Sequence, residues 1–264
     1  MKVNLKLLFG TLVIFATLIA VPTVKANSTN YILENQGPPE VVAENERVKA
    51  LVKAKLENIK EQNVQTYQTD QISSLPSYKS QQILNYPNYQ QEKNYYCGPA
   101  VVKQAVQFLK GSSLSQSTYA SHMNTDLNGN TAVHEIVTEL KSELGSTAAF
   151  YEYLGSNYDS AAESIVAAYV DLQFQLSNPL ILHSLTKYLY MYNGRNTGHY
   201  LTTVGYGGWT DDGNLTESNM SDVIYVDSYS RDYGRGNVYG THTDTLENIT
   251  NSVRGRYLIV LAYY

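Results

Sequence analysis

The pattern of apolar residues changes at Pro179. That change limits the chain to folds whose helices and sheet come largely from different stretches of sequence. Before it, apolar residues recur at helical spacing. Val133, Ile136, Val137, Leu140 and Leu144 share one helical face, and Gly145 closes it. Ile165, Val166, Tyr169, Leu172 and Leu176 form a second set, with Asp159 or Ser160 as cap and Asn178-Pro179 as stop. Pro99 to Leu109 reads as a shorter helix ended by Lys110-Gly111, and Ser115 to Met123 as another. After Pro179 the runs become short. Leu180 to His183, Tyr188 to Tyr192, His199 to Tyr206, Val223 to Asp227 and Tyr257 to Tyr263 read as strands. Gly207-Gly208 and Asp211-Asp212-Gly213 mark a turn-rich loop between the third and the fourth. Helices followed by an antiparallel sheet mean an α+β fold. A chain of 264 residues, 43% of them hydrophobic, can bury one sizeable core.

The first residues read as a targeting signal. Lys2 and Lys6 precede an apolar run from Leu7 to Val21, and Val24-Lys25-Ala26 suits a signal peptidase. Cleavage after Ala26 is expected, with an uncleaved anchor as the alternative. The expected location is outside the cell, secreted or at its surface, with no stable membrane insertion once residues 1–26 are removed. Residues 27–80 read as a polar extension. It contains one helix over 41–62, carried by Val48, Leu51, Val52, Leu56 and Ile59, and a linker over 63–80. This helix is either a spacer or an inhibitory pro-segment. The folded domain is expected over 81–264, acting as a monomer. The net charge of −5, without a basic run outside the N-terminus and the 46–60 region, argues against a nucleic-acid partner.

Export alters the meaning of the single cysteine, Cys97. Exported proteins use cysteines mainly in disulfide pairs, and one cysteine cannot form an internal pair. The plain reading is a buried inert thiol. The other is a nucleophile. Cys97 stands at the expected start of a helix, where partial positive charge and free N–H groups favour thiolate. Gly98 after it permits close backbone approach, so that a substrate carbonyl could reach the sulfur. Gln91 lies upstream, and its side-chain amide with the Cys97 N–H could hold an oxyanion. His199 follows Gly198 at the start of a strand, a place from which an imidazole can reach a facing helix. His183, at the end of an apolar strand, is its competitor. His122 and His134 lie in helical segments and His242 in a polar loop. Asp227 ends a strand and could accept from an imidazole N–H, whereas Asp211, Asp222 and Asp232 read as loop charges.

These residues in this order resemble the papain-like cysteine peptidases. Gln91, Cys97-Gly98-Pro99-Ala100, Gly198-His199-Tyr200 with Val204-Gly205-Tyr206, and Tyr225-Val226-Asp227-Ser228 carry the resemblance. More narrowly, they are similar to bacterial domains related to the double-glycine leader (bacteriocin-processing) peptidases. Asn178-Pro179-Leu180-Ile181-Leu182-His183 also resembles the strand before the histidine in that group. The group commonly has an acidic residue where Tyr96 stands. The resemblance implies an N-terminal helical half packed on a C-terminal antiparallel sheet, with the active site in the cleft between them. It implies Cys97 as nucleophile, His199 as base, Asp227 as the acid orienting it and Gln91 as oxyanion donor. The implied reaction is hydrolysis of a peptide or protein substrate through a thioester. The same residues could serve acyl transfer of a transglutaminase-like kind, or persist in a non-catalytic surface-binding module. No cofactor and no metal is expected, because the one cysteine and scattered histidines lack zinc-ligand spacing.

Overall fold

A computed structural model describes residues 76–126, 131–156 and 160–262, together with 39, 40, 43, 46, 47, 50 and 54, which are helical. The expected signal over 1–26, most of the expected 41–62 helix, and residues 63–75 of the linker lie outside the described residues.

The elements run β1 (Ser77–Gln82), α1 (Cys97–Lys110), α2 (Gln116–His122), α3 (Val133–Leu144), β2 (Ala149–Tyr153) and α4 (Ser160–Gln175). Then follow β3 (Leu180–Leu185), β4 (Gly198–Thr210), β5 (Met220–Asp227), β6 (Gly240–Thr245), α5 (Leu246–Val253) and β7 (Tyr257–Leu261). The strands form one antiparallel sheet in the order β2-β7-β3-β4-β5-β6. β4 is long enough to pair with β3 through Gly198–Thr203 and with β1 through Gly205–Thr210.

The expected α+β architecture, with N-terminal helices on an antiparallel sheet, is what the chain adopts. Its sheet is covered on both faces. Val101, Val102, Ala105 and Val106 of α1 and Ile136, Val137 and Leu140 of α3 meet Ile181, Ile259 and Leu261 on one face. Val166 and Val170 of α4 and Ile249 and Val253 of α5 meet Leu180, Leu182, Leu258 and Val260 on the other. Successive residues of β3 and β7 serve opposite cores, as the period of two requires. Every residue of β7 is therefore buried, and it reads as an unbroken apolar run. Truncating a central residue such as Ile259 to Ala costs about 2–5 kcal/mol.

Several sequence expectations are corrected. Tyr188 to Tyr192 is not a strand. It forms two 3₁₀ turns, Thr186–Tyr188 and Tyr190–Tyr192, which end where Asn193 takes φ 48° and Gly194 φ 80°. Gly207 and Gly208 belong to β4, not to a loop. A Cβ on Gly207 would collide with the Tyr78 hydroxyl of β1, so glycine there admits the neighbouring strand. The turn itself is at 211–213. His242 lies in β6, paired with Tyr225, instead of in a loop. β2, β6, α5 and β1 carry no expectation above, and β1 begins inside the stretch read as linker.

Candidate active site

Cys97 is the first residue of α1 and keeps 6% of its surface exposed. Tyr96 caps the helix without a side-chain hydrogen bond, which leaves the first-turn N–H groups to an anion at that end. The charge of His199 and the nearby backbone N–H groups of Tyr200 and Gly98 act on the thiol and favour its thiolate. Gly98 does not open a path for substrate, as its sequence position suggested. Its missing side chain accommodates Thr131, whose Cβ would lie 2.7 Å from an added Cβ. Thr131 is fixed in turn, since its carbonyl accepts from the Tyr200 hydroxyl at 2.8 Å.

His199 begins β4 after Gly198 and is 5% exposed. A Cβ on Gly198 would meet only His183 Nε2, at 3.8 Å, so sterics do not demand glycine there. His199 Nε2 lies 2.9 Å from Asp227 Oδ1. A carboxylate can only accept, so Nε2 carries a proton and Nδ1 is the nitrogen left for Cys97. Asp227, the last residue of β5, has no exposed surface. Its Oδ1 also accepts from the Tyr229 N–H at 2.8 Å, and its Oδ2 from the Tyr192 hydroxyl at 2.7 Å. The rings of Tyr192 and Tyr229 stand 5.9 and 6.1 Å from the imidazole. Tyr192 and Tyr229 are partners that sequence reasoning missed. Nothing marks Tyr192 among 24 tyrosines, whereas Tyr229 stands two residues after a candidate acid.

Gln91 is buried beside this cluster. Its N–H donates to the Ser228 carbonyl at 2.8 Å, its Oε1 accepts from Ser228 Oγ at 3.3 Å, and its Nε2 donates to the Lys93 carbonyl at 2.9 Å. One amide hydrogen remains for another acceptor. Gln116 brackets the same residue. Its Nε2 donates to the Gln90 carbonyl at 2.8 Å, and its Oε1 accepts from the Glu92 N–H at 3.0 Å. A glutamine inside a helix gives no sequence sign of that role.

Burial opposes charge on both reacting groups, and their neighbours overcome it. Burial pushes the Cys97 thiol up, but the bond and charge of His199 and two backbone N–H groups bring it below its ordinary value. Burial pushes His199 down, but the Asp227 charge and hydrogen bond, followed by Cys97, raise it to about 10. The arrangement favours a thiolate–imidazolium pair, which is the state a nucleophilic cysteine requires.

The competing residues lie elsewhere. His183, on β3, stacks on Tyr200 at 4.7 Å and accepts from Arg256 at 3.3 Å. Burial, then the Arg256 charge, pushes it down to about 3, so it remains neutral. His122 pairs with Glu139 at 2.8 Å, His134 lies 3.9 Å from Glu135, and His242 meets the Val238 carbonyl at 2.8 Å. Asp222 accepts from Tyr78 and Ser221, Asp232 accepts within its own turn, and Asp211 is exposed. Among the described residues no group of three or more His, Cys, Asp or Glu could hold a metal, and no helix is long and apolar enough to cross a membrane.

Residues 83–252 match the Peptidase_C39 like family. Two solved structures are similar. The peptidase domain of Streptococcus ComA, a bi-functional ABC transporter involved in a quorum sensing pathway, is 19% identical. The match covers 68% of this chain and 100% of that one, with a TM-score of 0.42. A double glycine motif protease from an AMS/PCAT transporter, in complex with the leader peptide, is 12% identical. That match covers 66% of this chain and 89% of the other, with a TM-score of 0.37. No curated protein matches.

Proposed function

The chain belongs to the Peptidase_C39 like family, and on that premise we propose that it is an exported cysteine peptidase that hydrolyses peptide bonds through a Cys97 thioester. The observation that carries the reading is the hydrogen bond from His199 to Asp227, with Tyr192 on the far carboxylate oxygen and the Cys97 sulfur within the electrostatic reach of the imidazole. The Cys97 thiolate attacks the scissile carbonyl carbon. The Cys97 N–H and the remaining Gln91 amide hydrogen hold the oxyanion, each donor contributing about 3 kcal/mol. His199 gives its Nδ1 proton to the leaving amine as the C–N bond breaks. It then takes a proton from water, which attacks the thioester and releases Cys97 with the acid product. Asp227 holds the imidazole in the tautomer with Nε2–H and stabilises the imidazolium. Tyr192 and Gln116 are positioning residues, the first acting on the carboxylate and the second on the Gln91 segment.

Export rests on residues 1–26, and the extension from residue 27 up to the start of β1 serves as a spacer ahead of the domain. Secreted protein whose N-terminus begins at Asn27 would support this. Cell-associated protein retaining Met1 would refute it. Peptide-library cleavage in the presence of a free amine tests the reaction. Hydrolysis products that vanish on Cys97→Ala are expected. A dominant transamidation product would mark acyl transfer instead, and no product of either kind would leave a non-catalytic module.

A further inference from the structure

Two arginines flank one tyrosine ring beside the candidate active site. The guanidinium carbons of Arg195 and Arg231 lie 5.7 and 5.8 Å from the Tyr233 ring centre. With Asn193, Asp232 and Tyr233 they line a cavity of about 450 Å³. Arg195 comes from the turn that follows Tyr192, and Arg231 from the loop that follows Asp227. The cavity is thus built from continuations of the segments that hold His199. The Tyr233 ring stands 5.6 Å from Tyr192, whose own ring is 5.9 Å from the imidazole. Arg231 Nη1 lies 3.4 Å from the hydroxyl of Tyr229, the other ring beside His199.

The lining carries two guanidinium groups against one carboxylate, a net positive charge. Neither arginine has an acidic partner at ion-pair distance among the described residues. Asp232 shares the wall but turns Oδ1 to the Gly234 and Gly236 N–H groups, at 2.7 and 3.1 Å. The whole chain carries a net charge of −5, so this is a local reversal of its field. The backbone is also held in advance. Val238 N–H donates to the Arg231 carbonyl at 2.8 Å, and Asn193 Nδ2 donates to the Tyr233 carbonyl at 2.9 Å, tying the two segments together.

A guanidinium presents a planar fork of donors that fits a carboxylate. We propose that this cavity is a substrate subsite that receives the carboxylate of an aspartate or glutamate in the peptide being cleaved. The inference deepens the peptidase reading and rests on it. An extended peptide advances roughly 3.3–3.6 Å per residue. Two ring contacts separate the cavity from His199, so the acidic residue falls within about four residues of the scissile bond.

The test uses the full purified chain with paired peptides that differ only by Glu or Gln at each of those positions. An exposed ion pair contributes up to about fivefold, and two arginines on one carboxylate about tenfold. A preference for Glu of that size in kcat/KM is expected at one position. It should weaken as salt rises. The Arg195→Gln/Arg231→Gln protein should lose the preference and cleave the Glu and Gln peptides at equal rates. Cleavage without a Glu preference at any position would overturn the subsite and leave the peptidase reading standing. So would a preference that survives in the double variant. Binding of the same labelled peptides to Cys97→Ala protein separates the other cases. Arg-dependent Glu binding without cleavage by wild type would sustain the subsite and sink the peptidase reading. Equal binding of Glu and Gln peptides would sink the subsite, even where a polyanion such as heparin binds through the arginines.

Discussion

His183 and His199 sit on adjacent strands, at 6% and 5% exposure, and their environments drive them to opposite charge states. Burial alone would keep both neutral. His183 faces Arg256, which adds to the penalty, and it is pushed down to about 3. His199 faces the Asp227 carboxylate and the Cys97 sulfur, and it is raised to about 10. The difference is one of partners, not of depth. A buried histidine becomes chemically useful only when the groups around it supply an acceptor on one nitrogen and a nucleophile on the other.

Exchanging or removing those partners should break the comparison in a graded way. His199→Ala removes the base and the proton donor, and kcat/KM for peptide hydrolysis is expected to fall about 1,000-fold. Asp227→Asn keeps the shape but frees the imidazole to adopt the other tautomer. A loss of about 100-fold is expected in the same assay. Tyr192→Phe removes one donor to the buried carboxylate. About a tenfold loss is expected, appearing in kcat more than KM, together with a displaced pH profile that a merely structural role would not produce. His183→Gln should change kcat/KM by less than about twofold, because His183 touches no reacting atom.

The same comparison predicts pH behaviour. The folded value of His183 lies below the ordinary 6.5, so its contribution to stability is complete above that pH and is lost as pH falls toward 3. Thermal melting of the wild type should therefore decline between pH 6.5 and 4 more steeply than that of His183→Gln. Equal slopes would mean that His183 titrates normally. In ring-nitrogen NMR spectra, His199 should remain imidazolium from pH 5 to 9 while His183 remains neutral.

The meeting of Cys97, His199 and Asp227 is legible in sequence because each stands at the end of an element. A helix start, a strand start and a strand end can be placed from periodicity and stop residues, and ends are where neighbouring elements bring side chains together. The supporting residues are not legible. Tyr192 lies in an apolar run with strand-like composition, and only the backbone turn at Asn193 and the acceptor on Asp227 bring it into place. Gln116 resembles any polar residue of a short helix until its two backbone contacts are seen. β6 escapes detection for a different reason. Its run Gly-Thr-His-Thr-Asp-Thr has no apolar residue, because it is an edge strand with Asp244 as its only buried position. The periodicity of α4 indicates a buried face but cannot say which side of the sheet receives it.

The account turns on whether Cys97 and His199 form a charged pair, and the chain has no other cysteine to obscure the answer. The direct measurement is the rate of iodoacetamide alkylation against pH for the wild type and His199→Ala. In the wild type, thiolate should appear as pH rises through a value below the roughly 8.5 of a free thiol, so alkylation is already fast near neutral pH. His199→Ala should shift the midpoint upward and slow the reaction at pH 7 by about tenfold or more. Superimposable profiles for the two proteins would mean that no thiolate–imidazolium pair exists, and the assignment of Cys97 as nucleophile would fall.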